Sequence, residues 1–169
     1  SRHLDDIMFR IDIPEVNVGG NSGMEWFIPG KGRSEIQQRD RNEIHRARLQ
    51  YLDVIRSLSG LKGIEIEDKF WSVSIHTRRA SEISRRHLDI LLQDWTPLRK
   101  LKKFRGPHVV EVSFIPTVDK MYGLKRLCSL IGFDPKPEGI IYAGDDENDA
   151  QAMSWVLFMG GVVITVGQQ

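Results

Sequence analysis

Six residues near the carboxyl end carry the densest chemistry in the sequence: Gly144-Asp145-Asp146-Glu147-Asn148-Asp149. They follow an apolar run, Gly139-Ile140-Ile141-Tyr142-Ala143, of the kind that forms a buried parallel strand. Loops at the carboxyl ends of such strands are where open α/β sheets take ligands. Four acids in five positions repel one another unless a cation or solvent separates them. Hard carboxylate oxygens on a short loop suit Mg2+, which keeps several waters and shares the phosphate oxygens of its substrate. The same residues also suit a solvated acidic turn that caps the next helix through Asp149 or a neighbour, and spacing alone does not choose. The alternation and central glycine of an EF-hand are missing.

A second candidate is Lys120, which follows the apolar stretch Val112–Ile115 and opens a helical pattern. An ammonium at a helix start can meet a phosphate, although a lone lysine there is more often plain surface. A third is a polar strand face carrying His76 and Arg78, with Lys69 and Glu111 beside it. Cation, imidazole and carboxylate together can hydrogen-bond a sugar phosphate, and the alternative is a solvated face laced with weak ion pairs. His76 has no Cys or His partner at metal-ligand spacing.

Elements of regular period must position these groups. A short strand over Glu15–Val18 empties into the turn Gly19-Gly20-Asn21-Ser22-Gly23, and Pro29-Gly30-Lys31-Gly32 is a second breaker. Ser34, with Gln37 three residues on, predicts a helix start. Ile44, Ala47, Tyr51, Val54, Ile55 and Leu58 then recur at helical spacing up to Gly60, with Arg39, Arg41, Arg46 and Arg48 on or beside the wet face. Ile64 and Ile66 alternate with acids; Trp71, Val73, Ile75 and Thr77 alternate with Ser72, Ser74, His76 and Arg78, so strands with one open polar face are expected. Ser81 begins a second helix that carries Ile83, Leu88, Ile90, Leu91 and Trp95 and stops at Thr96-Pro97. Val110, Val112 and Phe114 make a further strand. A helix through Leu124–Ile131 precedes the acidic loop; another, through Ala152–Leu157, leads to a second apolar strand over Gly161–Val166. Strand, helix and strand with short joins is a βαβ unit of a doubly wound sheet.

Composition bounds the function. The chain has 169 residues with Lys+Arg 24 against Asp+Glu 23, a net charge of +1. No global field therefore draws nucleic acid or an anionic membrane. The arginines of the first long helix are interleaved with acids and lack an aromatic platform, against a nucleic-acid groove. No apolar run approaches the roughly 20 residues that cross a bilayer. One cysteine, Cys128, excludes an internal disulfide and suits a reducing compartment, so the expected location is cytoplasmic.

The order Gly20-Asn21-Ser22-Gly23-Met24-Glu25, Lys69 with Ser74-Ile75-His76-Thr77-Arg78, Glu111, Asp119-Lys120, and the acidic loop resembles the trehalose-6-phosphate phosphatases. These belong to the haloacid dehalogenase (HAD) superfamily, in the subgroup with an α+β (C2-type) cap inserted in a Rossmann-like α/β core. The resemblance spans nearly the whole chain. The acidic motif is shared across the superfamily; Gly-Asn-x-Gly-x-Glu and His-x-Arg point more narrowly to the trehalose-phosphate branch. The resemblance implies a core over residues 1–26 and 117–169 and a cap over 27–116. It also implies Mg2+-dependent phosphoryl transfer from a small-molecule sugar phosphate through an aspartyl-phosphate. Lys120 and Asp145 would be catalytic, and Asp145, Asp146 and Asp149 would serve the metal. Glu25, Lys69, His76, Arg78 and Glu111 would face the sugar.

Glu147-Asn148-Asp149 looks closer to other sugar-phosphate phosphatases of the subgroup, so sucrose phosphate and mannosyl-phosphoglycerate stand as alternative substrates. The superfamily's Asp-x-Asp nucleophile motif is not found, since Asp5-Asp6 are adjacent and follow no apolar strand. The expectation is a core incomplete on its amino-terminal side, inactive alone, whose sheet a missing segment or a second chain completes. The rival from another class is a non-catalytic sugar-phosphate-binding or interaction module.

Overall fold

The computed structural model describes residues 2–11, 13–94, 101–145 and 147–167. At residue 27, where the resemblance would begin a cap, the chain is in the middle of a strand. β1 (Val18–Gly20), β2 (Glu25–Ile28) and β3 (Gly32–Ser34) form an antiparallel sheet with β2 at its centre. The chain divides instead into residues 1–36 with 117–169, and residues 37–116. Hydrogen bonding of β2 on both sides keeps its residues with the first of these units.

In the discontinuous unit, α1 (Leu4–Arg10) packs by Leu4 beside β1. Ser34 does not start a helix. It ends β3, its hydroxyl accepts from Arg126 Nη2 at 3.0 Å, and α2 (Gln38–Ser57) begins later with no side-chain cap. A tertiary partner has overridden a local capping signal. α4 (Lys120–Ile131) starts where its sequence predicts: Asp119 Oδ1 accepts from the Tyr122 N–H at 2.9 Å, and Gly132 in the left-handed region ends it. A single turn, α5 (Pro135–Glu138), leads to β8 (Ile141–Gly144). β8, α6 (Ala150–Phe158) and β9 (Val162–Thr165) follow, with β8 and β9 parallel from Ile141↔Val162 to Gly144↔Thr165.

These two strands are less buried than their apolar runs predict. α6 packs on the sheet and α4 packs on α6, while Ile141 on the opposite face is 71% exposed and Val162 and Ile164 are exposed beside it. Period-two alternation, rather than burial on both faces, describes what these residues meet here.

The inserted unit is an antiparallel sheet in the order β4 (Glu65–Asp68), β5 (Ser72–His76), β7 (Val109–Ser113), β6 (Lys102–Gly106). Helices α2 and α3 (Glu82–Asp94) supply Tyr51, Leu52, Ile55, Leu88 and Leu92 to a core with Val73, Ile75, Val110, Val112 and Phe114 of the sheet. Fully burying each such side chain contributes about 1.5–3 kcal/mol. Within α3, Leu88 and Leu92 point inward, whereas Ile83 and Ile90 are exposed. Ser81 Oγ accepts from the Ser84 N–H at 3.1 Å, as its start signal predicts. Trp95 and the stop at Thr96-Pro97 lie outside the described residues.

Candidate active-site residues

In the discontinuous unit the chemistry gathers on Asp149. Lys120 Nζ donates to Asp149 Oδ1 at 2.7 Å, the Tyr142 hydroxyl donates to the same oxygen at 2.6 Å, and the Asp145 N–H donates to Oδ2 at 3.3 Å. The Asp149 side chain is 3% exposed and that of Lys120 33%. A buried carboxylate needs this saturation, because an unpaired one costs several kcal/mol. Gly144 makes the arrangement possible: a Cβ there would lie 2.5 Å from the Asp149 carboxylate carbon. Any other residue at 144 would push the acid out from under the loop.

Asp145 itself is exposed just past the end of β8. Asp146 lies outside the described residues. The donor set suits Mg2+ in one respect: Asp145 offers a hard, accessible carboxylate, and Mg2+ is commonly bound by one or two carboxylates plus waters and substrate phosphate. Among the described residues no three His, Cys, Asp or Glu side chains are grouped to enclose a metal ion. The oxygens of Asp149 are already turned to Lys120, Tyr142 and the Asp145 amide. Of the early acids, Asp6 is bonded by Arg2 and Arg10 at 3.0 Å each and Asp5 is paired with Arg33. These guanidinium hydrogen bonds hold both carboxyls below their ordinary range.

The Asn21–Gly23 turn lies against α4. Asn21, Ser22 and Gly23 all have positive φ, and a Cβ on Gly23 would fall 2.2 Å from Gly123 Cα. Arg126 fixes the same turn, donating to the Gly23 carbonyl at 3.2 Å and to the Met24 and Glu35 carbonyls. Glu25, after Met24, accepts from Asn21 Nδ2 at 2.9 Å. The glycine-rich motif and the Lys120 helix, distant in sequence, are thus one local structure.

On the inserted unit, Lys69, His76 and Glu111 fall on one polar band. Ser74 pairs with Glu67 on one neighbouring strand and with Glu111 on the other. Lys69 Nζ lies 3.6 Å from Glu111 Oε2, Ser72 Oγ donates to Glu111 Oε1 at 3.1 Å, and His76 Nε2 lies 2.9 Å from Glu67 Oε2. The face is not open throughout: Ser74 is 1% exposed and its hydroxyl has no hydrogen-bond partner among the described residues. Serine is short, and the longer acids in register on both sides rise above it. Past the end of β5, Arg78 shares a cleft of about 600 Å³ with His76, Arg79, Glu65 and His108.

Two contributors are not visible in the sequence pattern. Arg48, expected on the wet side of its helix, is only 16% exposed and forks onto Asp68, Nη1 to Oδ1 at 2.6 Å and Nη2 to Oδ2 at 2.7 Å. It also donates to the Phe70 carbonyl at 2.9 Å and lies 4.9 Å from the Phe70 ring centroid. Phe70 has φ +67, so Arg48 pins a strained turn, and that turn carries Lys69. The hydrogen bond from Arg48 holds the Asp68 carboxyl below its usual value. His108 is the second; only the β6–β7 hairpin brings it beside His76, through the Thr77 N–H to His108 carbonyl bond at 2.8 Å. Nothing local in Pro107-His108 signals it.

The profile of the trehalose-phosphatase family matches residues 4–168. Among solved structures, a trehalose-6-phosphate phosphatase related protein is 18% identical with a TM-score of 0.72, the match covering 99% of this chain and 68% of that one. The C-terminal domain of the Candida albicans trehalose synthase regulatory protein is 16% identical with a TM-score of 0.73, covering 97% and 68%. An Aspergillus fumigatus trehalose-6-phosphate phosphatase is 24% identical with a TM-score of 0.50, covering 98% and 64%. The chain spans about two thirds of the length of these proteins. At such identities the likeness is one of fold, and it agrees with the α/β core and inserted α+β unit implied by the motifs. No curated protein matches by sequence. Among the described residues no helix is long and apolar enough to cross a membrane.

Proposed function

The chain belongs to the trehalose-phosphatase family, and we propose that it supplies the phosphate-holding and sugar-recognising parts of a Mg2+-dependent sugar-phosphate phosphatase acting on trehalose 6-phosphate. The observation that carries this reading is the Lys120–Asp149 pair beneath the Gly144–Asp145 loop. An ammonium has three donors. Asp149 takes one of them and fixes the direction in which the ammonium points, and phosphoryl oxygens are the anionic partners this direction suits.

Asp145 would hold Mg2+ in part, and the ion would supply charge neutralisation of the phosphoryl group. Lys120 does the same from its side and steadies the charge that develops on the oxygens as the ester bond breaks. Asp149 acts here as the orienting partner of Lys120 rather than as a direct metal ligand. Asp5 and Asp6 are tied to arginines, and neither is assigned as the attacking carboxylate. In the proposed reaction a carboxylate attacks phosphorus as the bond from phosphorus to the sugar oxygen breaks, and that oxygen takes a proton from an acid or from water. Water then hydrolyses the aspartyl-phosphate to inorganic phosphate and the free carboxylate. Lys69 and Glu111, with His76 and Arg78, select the sugar, and Glu25 opens β2 just after the turn fixed to the Lys120 helix.

The test is phosphate release by the encoded protein with trehalose 6-phosphate, sucrose 6-phosphate and mannosyl-phosphoglycerate, with and without Mg2+. Fastest turnover of trehalose 6-phosphate, abolished by chelation, supports the reading; the 169-residue chain alone is expected to show none. Faster turnover of either other ester moves the substrate within the subgroup. Binding of trehalose 6-phosphate with no turnover by the encoded protein selects the non-catalytic module.

A further inference from the structure

We infer that Tyr142 is a positioning residue for Lys120, acting through Asp149. The inference rests on the reading above, in which Lys120 meets the phosphate. Asp149 Oδ1 receives two donors at once, Lys120 Nζ at 2.7 Å and the Tyr142 hydroxyl at 2.6 Å. Oδ2 receives the Asp145 amide. One carboxylate therefore joins three elements: the first residue of α4, the middle of β8, and the loop that carries the candidate metal ligand.

Among these donors Tyr142 lies on a hydrogen-bonded strand, with Val163 of β9 opposite it. Its phenol sits on two torsions and cannot wander, whereas the lysine has a flexible four-carbon stem. The tyrosine hydroxyl thus sets the rotation of the Asp149 carboxylate about its last bond, and the carboxylate sets the direction of the ammonium. Charge-assisted bonds of this kind are short and strong, and in a buried site each is worth more than in water. Removing the hydroxyl leaves the ring in place but frees the carboxylate to turn. Lys120 then loses its fixed direction, and the Asp145 amide loses a well-placed acceptor.

The test variant is Tyr142→Phe, which keeps the packing of the ring and deletes only the donor. NMR of the chain without any ligand reads the first effect: exchange of the Asp145 amide hydrogen accelerates and the Lys120 side-chain resonances shift toward those of a free lysine. Calorimetric titration with inorganic phosphate reads the second: Kd rises about tenfold, the size expected for one charge-assisted hydrogen bond. Asp149→Asn gives a larger loss, and the double variant is no worse than Asp149→Asn alone, because the tyrosine's effect on Lys120 runs through the acid. Unchanged Asp145 exchange and Lys120 resonances in Tyr142→Phe overturn the inference, as does full additivity of the two substitutions. If the wild-type chain binds no phosphate, the reading of Lys120 fails, while the ligand-free spectra still decide the role of Tyr142.

Discussion

Gly23 and Gly123 meet backbone to backbone: a Cβ on the first would lie 2.2 Å from the Cα of the second, and a Cβ on Gly123 would lie 2.3 Å from the Ser22 carbonyl oxygen. This contact seats the Asn21–Gly23 turn on the helix that begins at Lys120. Gly123→Ala is therefore expected to destabilise the chain by about 1–3 kcal/mol, the usual cost of forcing atoms into a packed contact. Gly60→Ala, where nothing lies within 4 Å, is the control. Denaturant midpoints for the two variants check the difference.

Gly144→Ala acts on the site more than on the fold. The added methyl must displace the Asp149 carboxylate, whose carbon lies 2.5 Å from the Cβ position. The expected outcome is a loss of phosphate binding similar to that of Asp149→Asn, with the inserted unit unaffected. Calorimetry with inorganic phosphate and amide spectra of residues in β4 to β7 together test this.

Arg48 and Asp68 make stability depend on pH in a stated direction. The folded carboxyl is held below its ordinary value of 3.8, first by its hydrogen bond with Arg48. The pair's contribution is thus present above the unfolded pKa and is lost as pH falls through the lower, folded one. Arg48→Met should melt below the wild-type chain at neutral pH, and the gap should close under strongly acid conditions. A gap that stays constant across the acid range would assign the loss to packing on Phe70 and Phe114 instead.

Lys69 and Glu111 should govern the sugar, not the phosphate. Lys69→Met and Glu111→Gln are expected to weaken trehalose 6-phosphate binding by about tenfold, the scale of one or two lost polar contacts, while inorganic phosphate binds as before. Equal losses for both ligands would mean that the Lys69–Glu111 pair serves the fold of the inserted unit.

How much of this was legible in the residues differs by element. α4 was, because Asp119 is a local cap and the apolar spacing of Leu124, Leu127 and Ile131 needs no distant partner. β5 and β7 were, through alternation that matches the core they bury. β6, Lys102-Lys103-Phe104-Arg105-Gly106, was not: it is an edge strand, and charged side chains there protect an edge while erasing the alternation. Ser34 misled because a hydroxyl that can cap a helix can equally accept from Arg126. The acidic loop announced itself, but the division of labour within it did not. Asp145 is exposed and Asp149 buried because of Gly144, Lys120 and Tyr142, and only the folded chain brings those together. Arg48 was hidden for the same reason, since its partner Asp68 comes from another element.

Binding of trehalose 6-phosphate to the chain and to Lys120→Ala, in Mg2+, tests the central claim most directly, with unphosphorylated trehalose titrated in parallel. The account predicts that Lys120→Ala loses at least about tenfold in affinity for the phosphate ester, as expected for a charge-assisted contact, and nothing for trehalose. Equal affinity of the two proteins for trehalose 6-phosphate would contradict it.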